Sequence, residues 1–422
     1  MKRIILHNLN RNEKLLKHGI IVLIGSLVTG FINFFYQIYM GRALGPVDYG
    51  ILGALFSVVY IIMFSISPIG TVISKFVSVY RAENNYGKIH KLFRYAGLRL
   101  LIIGVILFIL FFSFSGLISD YLKISSSLPV VFIGLFAMLN IMMPIFSGVL
   151  NGLQRFYWNS FLGALGSVFK LAFGILLVYM GFKVNGAVLS LSIALLILMV
   201  IYFIPLRSLF AFEKKDINHV DIFRYALPAF LVIFFSMLLV NFDTILVKHQ
   251  FNALEAGYYA VASMLSKVIL FGTSSFAMVM FPKVSDLYSQ KKEVSSLLKN
   301  TLFYTLLIVS VPILVYFIAP TFIIRLLYGP DYSPVAGLLP LMGIALGLFA
   351  LSNVLVLFNL AVNRLKTLYF LIIAFVLEVG SIILFSSTLL EVIKVILIVN
   401  ILLFILLLFY TRKEFGFNGV LT

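Results

Sequence analysis

Long blocks of apolar residues, each about the length needed to cross a lipid bilayer, recur through this chain of 422 residues. A transmembrane helix needs about 20 consecutive apolar residues. The chain is 62% hydrophobic and only 11% charged, so it lacks the polar side chains that cover the surface of a soluble protein. The sequence therefore predicts an all-α polytopic membrane protein and excludes a soluble globular fold.

Charge-poor stretches predict about twelve membrane-spanning helices. They cover residues 18–40, 50–74, 100–119, 128–150, 157–181, 184–206, 225–247, 256–282, 300–324, 334–362, 367–389 and 393–411. Residues 1–17 are basic and polar and lead straight into a full-length span, so no cleavable signal peptide is expected.

The distribution of Lys and Arg predicts the orientation of these spans. Of the 32 basic residues, 24 fall in one alternating set of loops, which includes both termini, and only six fall in the other. Cytoplasmic loops carry the excess of basic residues, so both termini are predicted to be cytoplasmic in a multi-pass protein of the cell (cytoplasmic or inner) membrane. The net charge of +17 then reflects topology and attraction to anionic membrane lipids, not binding of nucleic acid.

Several function classes are disfavoured by what the sequence lacks. It has no cysteine, no Gly-x-x-x-x-Gly-Lys-[Ser/Thr] phosphate loop and no His pair with metal-ligand spacing. Its loops, at most about 25 residues, are too short to fold a catalytic domain. We therefore expect no enzyme activity, no metal and no cofactor, with coupling to H⁺ or Na⁺ left open.

The two halves of the chain resemble each other. The segment 40–52 before the second span matches 247–259 before the eighth, so that Gly50 aligns with Gly257 and Asp48 with Glu255, 207 residues apart. The sequence Asn-Gly-Leu-Gln-Arg at 151–155 similarly resembles Asn-Leu-Ala-Val-Asn-Arg at 359–364.

A repeat of six spans keeps its orientation, so the two halves are expected to be related by a pseudo-two-fold axis along the membrane normal. The predicted domains are an N-terminal lobe over 1–206, a cytoplasmic linker over 207–224 and a C-terminal lobe over 225–422, which ends in a short cytoplasmic tail. Two such lobes suggest a transporter with a site between them and alternating access. One copy of the chain would suffice for this architecture.

Several motifs, in order along the chain, resemble polysaccharide transporters. They are Gly-Arg-Ala-Leu-Gly-Pro-Val-Asp-Tyr-Gly at 41–50, Tyr-Ala-Leu-Pro at 225–228, Asp-Thr-Ile-Leu-Val-Lys at 243–248, Glu-Ala-Gly-Tyr at 255–258 and Leu-Leu-Tyr-Gly-Pro-Asp-Tyr at 326–332. The chain resembles the Wzx-type oligosaccharide flippases of the multidrug/oligosaccharidyl-lipid/polysaccharide exporter superfamily. The resemblance implies a V-shaped, two-lobed fold. It also implies translocation of a lipid-linked oligosaccharide, usually on a polyprenyl pyrophosphate, from the cytoplasmic to the outer leaflet for surface-glycan synthesis.

Charged residues inside the spans are functional candidates, because a charge at the bilayer centre costs about 2.5–3.5 kcal/mol on insertion scales. Lys170 and Lys267 lie about midway along the fifth and eighth spans, one in each predicted lobe. They are the candidate cations for the substrate's anionic head group; the alternative is that each pairs with a nearby carboxylate or reaches toward an interface. Asp243 and Glu378, in the seventh and eleventh spans, are candidates for ion coupling or for structural salt bridges with those lysines.

Other polar residues form two weaker sets of candidates. The candidate mouth cations are Arg42, Lys75, Arg81, Arg155 and Arg364, for which the alternative role is in topology. The candidate sugar contacts are Asn33, Asn140, Asn353 and Asn359, for which the alternative is hydrogen bonding between helices.

A flippase is the leading interpretation of these features, and its substrate would be the principal partner. Polysaccharide polymerase or glycosyltransferase machinery is a second candidate partner. A cation-coupled multidrug or small-molecule antiporter of the same superfamily is the first alternative, but its cavity should be acidic, whereas this chain has as many intramembrane lysines as acids. A membrane glycan polymerase or ligase would need a longer outer loop, and a non-transporting scaffold stays open.

Overall fold

The computed structural model describes residues 2–216 and 220–415. These residues form helices and turns, and no β-strand occurs among them. The predicted all-α fold class is therefore confirmed. Residues 217–219 of the predicted linker and 416–422 of the predicted tail lie outside the described residues.

Fifteen α-helices follow one another along the described chain. They are α1 (Lys2–Ser65), α2 (Ser67–Ala82), α3 (Tyr86–Ser113), α4 (Ser115–Tyr121), α5 (Leu128–Asn140), α6 (Met143–Gly152), α7 (Phe156–Leu177), α8 (Lys183–Leu206), α9 (Val220–Gln250), α10 (Ala253–Ser289), α11 (Ser295–Ile318), α12 (Pro320–Leu327), α13 (Leu339–Ala361), α14 (Thr367–Phe385) and α15 (Leu389–Phe415). A π-helical turn, Val178–Phe182, joins α7 to α8, and two 3-10 segments cover Arg207–Ala211 and Pro330–Gly337.

Ten helical stretches of the described chain are long and apolar enough to cross a membrane. Two of them, Ile20–Ala82 and Phe156–Ala211, are 63 and 56 residues long, and each holds two of the predicted spans. The other eight hold one predicted span each. The prediction of a multi-pass membrane protein is therefore confirmed.

The third span begins earlier than the sequence analysis predicted. We expected it over 100–119, but the helix runs over Tyr86–Ser113. Its first turns bury Ile89, Leu92 and Ala96 at helical spacing, while the basic residues Lys88, Lys91 and Arg94 lie at positions around them. A search for charge-poor stretches misses such an amphipathic beginning, because the charges on one face conceal the apolar stripe on the other.

Glycine and proline mark the interruptions within the spans. The continuous range of α1 contains a break at Gly45, whose φ of 73° and ψ of 173° are accessible mainly to glycine, followed by Pro46. Pro68, Pro144 and Pro340 each lie in the first turn of a helix, where a missing backbone N–H costs no hydrogen bond.

The chain packs into two compact units, which are described separately. The first contains the described residues up to Leu44 together with Ile66–Asp120 and Ile124–Leu227, and the second contains Gly45–Ser65, Tyr121–Lys123 and the chain from Pro228 onward. The predicted lobes follow chain order, whereas packing places the last part of α1, Gly45–Ser65, in the second unit. The lobes as functional bodies remain a prediction.

Each unit has its own apolar core. Ile73, Ile89 and Phe146 belong to the core of the first unit, which α2, α3 and α6 help to build. In the second unit, Phe358 and Leu407 belong to a core that α13 and α15 share. Lipid is as apolar as these side chains, so close packing, not exclusion from water, holds the helices together within the bilayer.

The start of α10 is fixed by a reciprocal cap. Asn252 Oδ1 accepts a hydrogen bond of 2.9 Å from the backbone N–H of Glu255, and Asn252 Nδ2 donates one of 2.8 Å to the Glu255 carboxylate. Such a cap satisfies a backbone donor that the first helical turn leaves unpaired. It fixes the beginning of the helix that carries Tyr259 and Lys267.

Candidate functional site

Lys170 occupies a neutral polar setting in the first unit. Its ammonium group donates a hydrogen bond to Asn33 Oδ1 and lies 4.5 Å from the centre of the Tyr36 ring. Asn33 Nδ2 in turn donates to Ser167 Oγ at 3.2 Å. We call Asn33, Tyr36, Ser167 and Lys170 the lysine cradle; it joins α1 to α7.

Two local features fix the position of Tyr36 in the lysine cradle. Its hydroxyl donates a 2.8 Å hydrogen bond to the carbonyl of Ala187 on α8. Gly174 on α7 leaves room for the ring, because a Cβ at this position would lie 2.7 Å from Tyr36 Cε2. The Tyr36 ring, whose face lies beside Lys170, is therefore positioned by contacts with α7 and α8.

The lysine cradle contains a cation without a matching anion. Within the described residues, no carboxylate forms an ion pair with Lys170; the ion pairs recorded there, Lys88–Glu83 and Lys91–Asp216, lie outside the lysine cradle. The Lys170 side chain is only half-buried, so part of it stays accessible. A partly accessible cation held by neutral dipoles can accept an anionic group from a ligand.

The second unit contains a cluster of the opposite character. Asp243 on α9 accepts hydrogen bonds from the Tyr259 hydroxyl at 2.5 Å and from the Thr244 hydroxyl at 3.3 Å. Thr244 Oγ1 also lies 3.4 Å from Ser263 Oγ. Asp243 is 2% exposed and Tyr259 is fully buried.

Lys267 and Glu378 complete this buried cluster. Lys267 on α10 is 4% exposed and interacts electrostatically with Asp243. Glu378 on α14 is 1% exposed and lies close enough to Asp243 and Tyr259 to influence both electrostatically. The Oε2 atom of Glu378 has no hydrogen-bond partner among the described residues. We call Asp243, Tyr259, Lys267 and Glu378 the acidic cluster.

The two membrane lysines therefore lie in different settings, although the sequence analysis treated them alike. The geometry favours Lys170 for contact with an anion, because Lys267 is enclosed and lies near the buried carboxyl group of Asp243. Lys267 has the surroundings of a structural counter-ion. Both head-group assignments remain predictions.

The repeat-related arginines contact the last helix of their own unit. Arg155 donates to the carbonyl of Pro205 near the end of α8 and lies 3.4 Å from Ser208 Oγ. Arg364 lies over the Tyr410 ring of α15, 5.8 Å from the ring centre. Both contacts join helix ends within a unit.

The remaining candidates are dispersed. Arg42 and Lys75 are exposed and Arg81 is half-buried. Asn140 is buried at the end of α5, and Asn353 is half-buried in α13.

Asn359 has a clear structural contact. It is fully buried and donates 2.8 Å hydrogen bonds to the Leu355 carbonyl and to Thr411 Oγ1, which joins α13 to α15. Of the four asparagines, only Asn33 has a recorded hydrogen bond to a predicted site residue.

Tyr36, Ser167, Tyr259 and Ser263 are not among the candidates predicted from the sequence. A signal for two of them exists, since Tyr259, Ser263 and Lys267 follow at intervals of four residues, which places them on one helix face. Among residues 2–216 and 220–415, no group of three or more His, Asp or Glu side chains is arranged to hold a metal ion.

The sequence pattern of the polysaccharide biosynthesis protein family matches residues 15–288. The chain belongs to this family. The match includes Asn33, Lys170, Asp243 and Lys267, and it ends before Glu378. The predicted resemblance to polysaccharide transporters is thereby confirmed.

An Lsg locus protein of Haemophilus influenzae is 22% identical over 326 residues, which are 76% of this chain and 78% of that protein. Among solved structures, an inward-facing multidrug resistance MATE transporter of the MOP superfamily has a TM-score of 0.77 at 14% identity, covering 92% of this chain and 94% of that one. The lipid II flippase MurJ, in an inward closed conformation, has a TM-score of 0.70 at 16% identity, covering 94% and 89%. At these identities the likeness establishes the fold, which is that of MOP-superfamily transporters.

Proposed function

We propose that this protein moves a lipid-linked oligosaccharide, carried on a polyprenyl pyrophosphate, from the cytoplasmic to the outer leaflet of the cytoplasmic membrane. Its termini would face the cytoplasm, in keeping with the distribution of basic residues. The single observation that carries the proposal is the lysine cradle, where Lys170 has neutral partners and an accessible surface. The family and the fold support a transporter of polysaccharide synthesis.

The head group of the proposed substrate carries its charge and is therefore the part that is most costly to move through the membrane. A pyrophosphate loses the hydration of its charges when it leaves water, and fixed cations within the protein offset that cost. Lysine is a compact point charge suited to phosphate. A cation already paired with a protein carboxylate would stabilise the pyrophosphate less. Lys170 has no such carboxylate partner among the described residues. The glycan and the lipid then determine selectivity elsewhere along the path.

The acidic cluster supports a finer proposal about energy supply. Asp243 and Glu378 share a buried site in which Lys267 is the cation among the described residues, so one of the two carboxyl groups has no charge partner there. We assign to this pair the binding of a proton or Na⁺ that drives the cycle. This arrangement also favours the alternative function, a cation-coupled antiporter, whose substrate would be an organic cation.

Translocation in proteoliposomes tests the proposal. Purified protein is reconstituted with a labelled polyprenyl-pyrophosphate oligosaccharide, and exposure of the glycan to an impermeant external probe is followed over time. The variants are Lys170→Ala and, as a matched control, Lys366→Ala, which removes an exposed lysine at the start of α14. Losing one charge-assisted hydrogen bond, worth about 1.5–3 kcal/mol, should slow translocation at least about tenfold.

The outcomes separate the two candidate functions. Acceleration by wild type and by Lys366→Ala, with loss in folded Lys170→Ala, supports the flippase and its head-group cation. Equal rates for all three proteins would leave the flippase standing and refute the role of Lys170. No translocation of any glycan lipid, together with H⁺- or Na⁺-driven efflux of organic cations, would favour the antiporter.

A further inference from the structure

The amide of Asn33 is held in one orientation within the lysine cradle. Its Nδ2 atom donates to Ser167 Oγ at 3.2 Å, and Ser167 Oγ donates to the carbonyl of Gly163 at 3.3 Å. The Oδ1 atom of Asn33 consequently faces the ammonium group of Lys170 and accepts its hydrogen bond. A chain of hydrogen bonds that begins at the α7 backbone therefore aligns the neutral acceptor, Asn33, with the cation, Lys170.

The position of Asn33 Oδ1 is the one that an anionic oxygen of a ligand would occupy. A lysine ammonium group in the membrane needs an acceptor at all times, because an unsatisfied charge in hydrocarbon is costly. Tyr36 supplies an aromatic face, 4.5 Å away, and Asn33 supplies the hydrogen-bond acceptor. The protein therefore satisfies the ammonium group of Lys170 with its own neutral groups.

We propose that Asn33 is a placeholder acceptor, which occupies the anion position on Lys170 until a phosphoryl group of the substrate takes it over. This inference rests on the proposed function, since it names the chemistry by which the same site accepts its ligand. A charged acceptor forms a hydrogen bond roughly twice as strong as that of a neutral amide. A phosphoryl oxygen therefore displaces Asn33 Oδ1, whereas a neutral sugar hydroxyl does not, and the site selects for anionic head groups.

The placeholder role and a simple positioning role predict different effects of the same substitution. If Asn33 only positions Lys170, Asn33→Ala weakens anion binding. If Asn33 competes with the anion, Asn33→Ala leaves binding unchanged or makes it tighter. Asn33→Asp has nearly the same shape but places a permanent charged acceptor on Lys170, so it should block the anion in either case.

Equilibrium binding of radiolabelled inorganic pyrophosphate to the purified full chain tests this inference. The variants are Asn33→Asp, Asn33→Ala, Lys170→Met and the control Asn159→Asp, which introduces an acid at a half-buried asparagine of α7 outside the lysine cradle. Thermal unfolding of each variant identifies those that fail to fold. A charge-assisted hydrogen bond predicts a loss of about tenfold or more in affinity for Asn33→Asp and Lys170→Met. Asn159→Asp should bind as wild type, and Asn33→Ala should bind as wild type or more tightly.

The inference is overturned if Asn33→Ala loses as much affinity as Asn33→Asp, or if Asn33→Asp binds as wild type. It is also overturned if neither wild type nor Asn33→Ala binds pyrophosphate. Its failure differs from failure of the proposed function. Translocation that requires Lys170 but proceeds normally in Asn33→Asp refutes the placeholder alone. The expected pattern of pyrophosphate binding, without translocation of any polyprenyl-pyrophosphate glycan, supports the placeholder and refutes the flippase.

Discussion

Gly50 and Gly257, which occupy equivalent positions of the sequence repeat 207 residues apart, lie in direct backbone contact within the second unit. A Cβ atom added to Gly50 would lie 2.7 Å from the backbone nitrogen of Gly257. Further along, Gly53 contacts Ala260, again 207 residues away. When a residue contacts its own repeat equivalent, the contact lies on or near the axis that relates the two repeats. Two such contacts in succession therefore indicate a local two-fold axis between these two parallel helices.

The same relationship continues to the other end of this helix pair. The rings of Phe64 and Phe271, also 207 residues apart, stack with centres separated by 6.0 Å. Near Gly50, Tyr49 is buried against Tyr328 and Tyr332. Small residues and aromatic rings therefore pack the helical segment after Gly45 against the rest of the second unit.

The glycine contact predicts opposite effects for two substitutions on α10. Gly257→Ala would place a Cβ 2.0 Å from the Pro46 carbonyl oxygen, a backbone atom that cannot move aside cheaply. Overpacking of this kind costs about 1–3 kcal/mol, so the melting temperature of the purified protein in detergent should fall. Gly272→Ala, the matched control, meets nothing within 4 Å and should leave the melting temperature unchanged or raise it. An unchanged melting temperature in Gly257→Ala would contradict the close approach.

Part of this architecture follows from the sequence alone, and part of it requires the packed structure. The spans could be predicted because about 20 apolar residues in succession are typical of a transmembrane helix. The alignment of Gly50 with Gly257 could also be read from the repeat, but their contact could not, because no local pattern states which helices meet. The assignment of Gly45–Ser65 to the second unit depends likewise on tertiary packing.

The candidate sites show the same division. Lys170 and Lys267 could be predicted as candidates because the cost of burying a cation makes charged residues rare inside membranes. The two lysines differ in the residues that surround them in the folded chain. Asn33 is 137 residues from Lys170 along the chain, and Glu378 is 135 residues from Asp243. Single-sequence reasoning has no access to such pairings.

The acidic cluster predicts that Lys267 and Asp243 are energetically coupled. Lys267→Met keeps the length of the side chain but leaves the buried Asp243 without the cation near it, so this variant should be less stable than wild type. The double variant Lys267→Met/Asp243→Asn removes both charges and should recover much of that loss. Thermal unfolding of wild type, both single variants and the double variant measures the coupling. Additive effects of the two substitutions would show that the residues are independent.

The unpartnered carboxyl oxygen of Glu378 predicts a role that can be separated from folding. Glu378→Gln keeps the shape and removes the titratable charge, so the protein should fold with a melting temperature at or above that of wild type. If the acidic cluster couples transport to an ion, stimulation of translocation by an imposed pH or Na⁺ gradient should disappear in this variant. Glu391→Gln, at the start of α15, controls for loss of a carboxylate outside the cluster. Retained stimulation in Glu378→Gln would assign the residue a structural role.

The contacts of Arg155 predict an effect on stability and not on substrate movement. Its guanidinium donates to the Pro205 carbonyl near the end of α8, a backbone group that the helix end leaves without a partner of its own. Removing a hydrogen bond to a charged group costs about 1.5–3 kcal/mol, so Arg155→Ala should lower the melting temperature, and Arg155→Lys should lower it less. Translocation per folded molecule should match wild type in both variants. If folded Arg155→Ala instead loses translocation, the arginine contacts the substrate, as the sequence analysis allowed, and its bond to Pro205 is secondary.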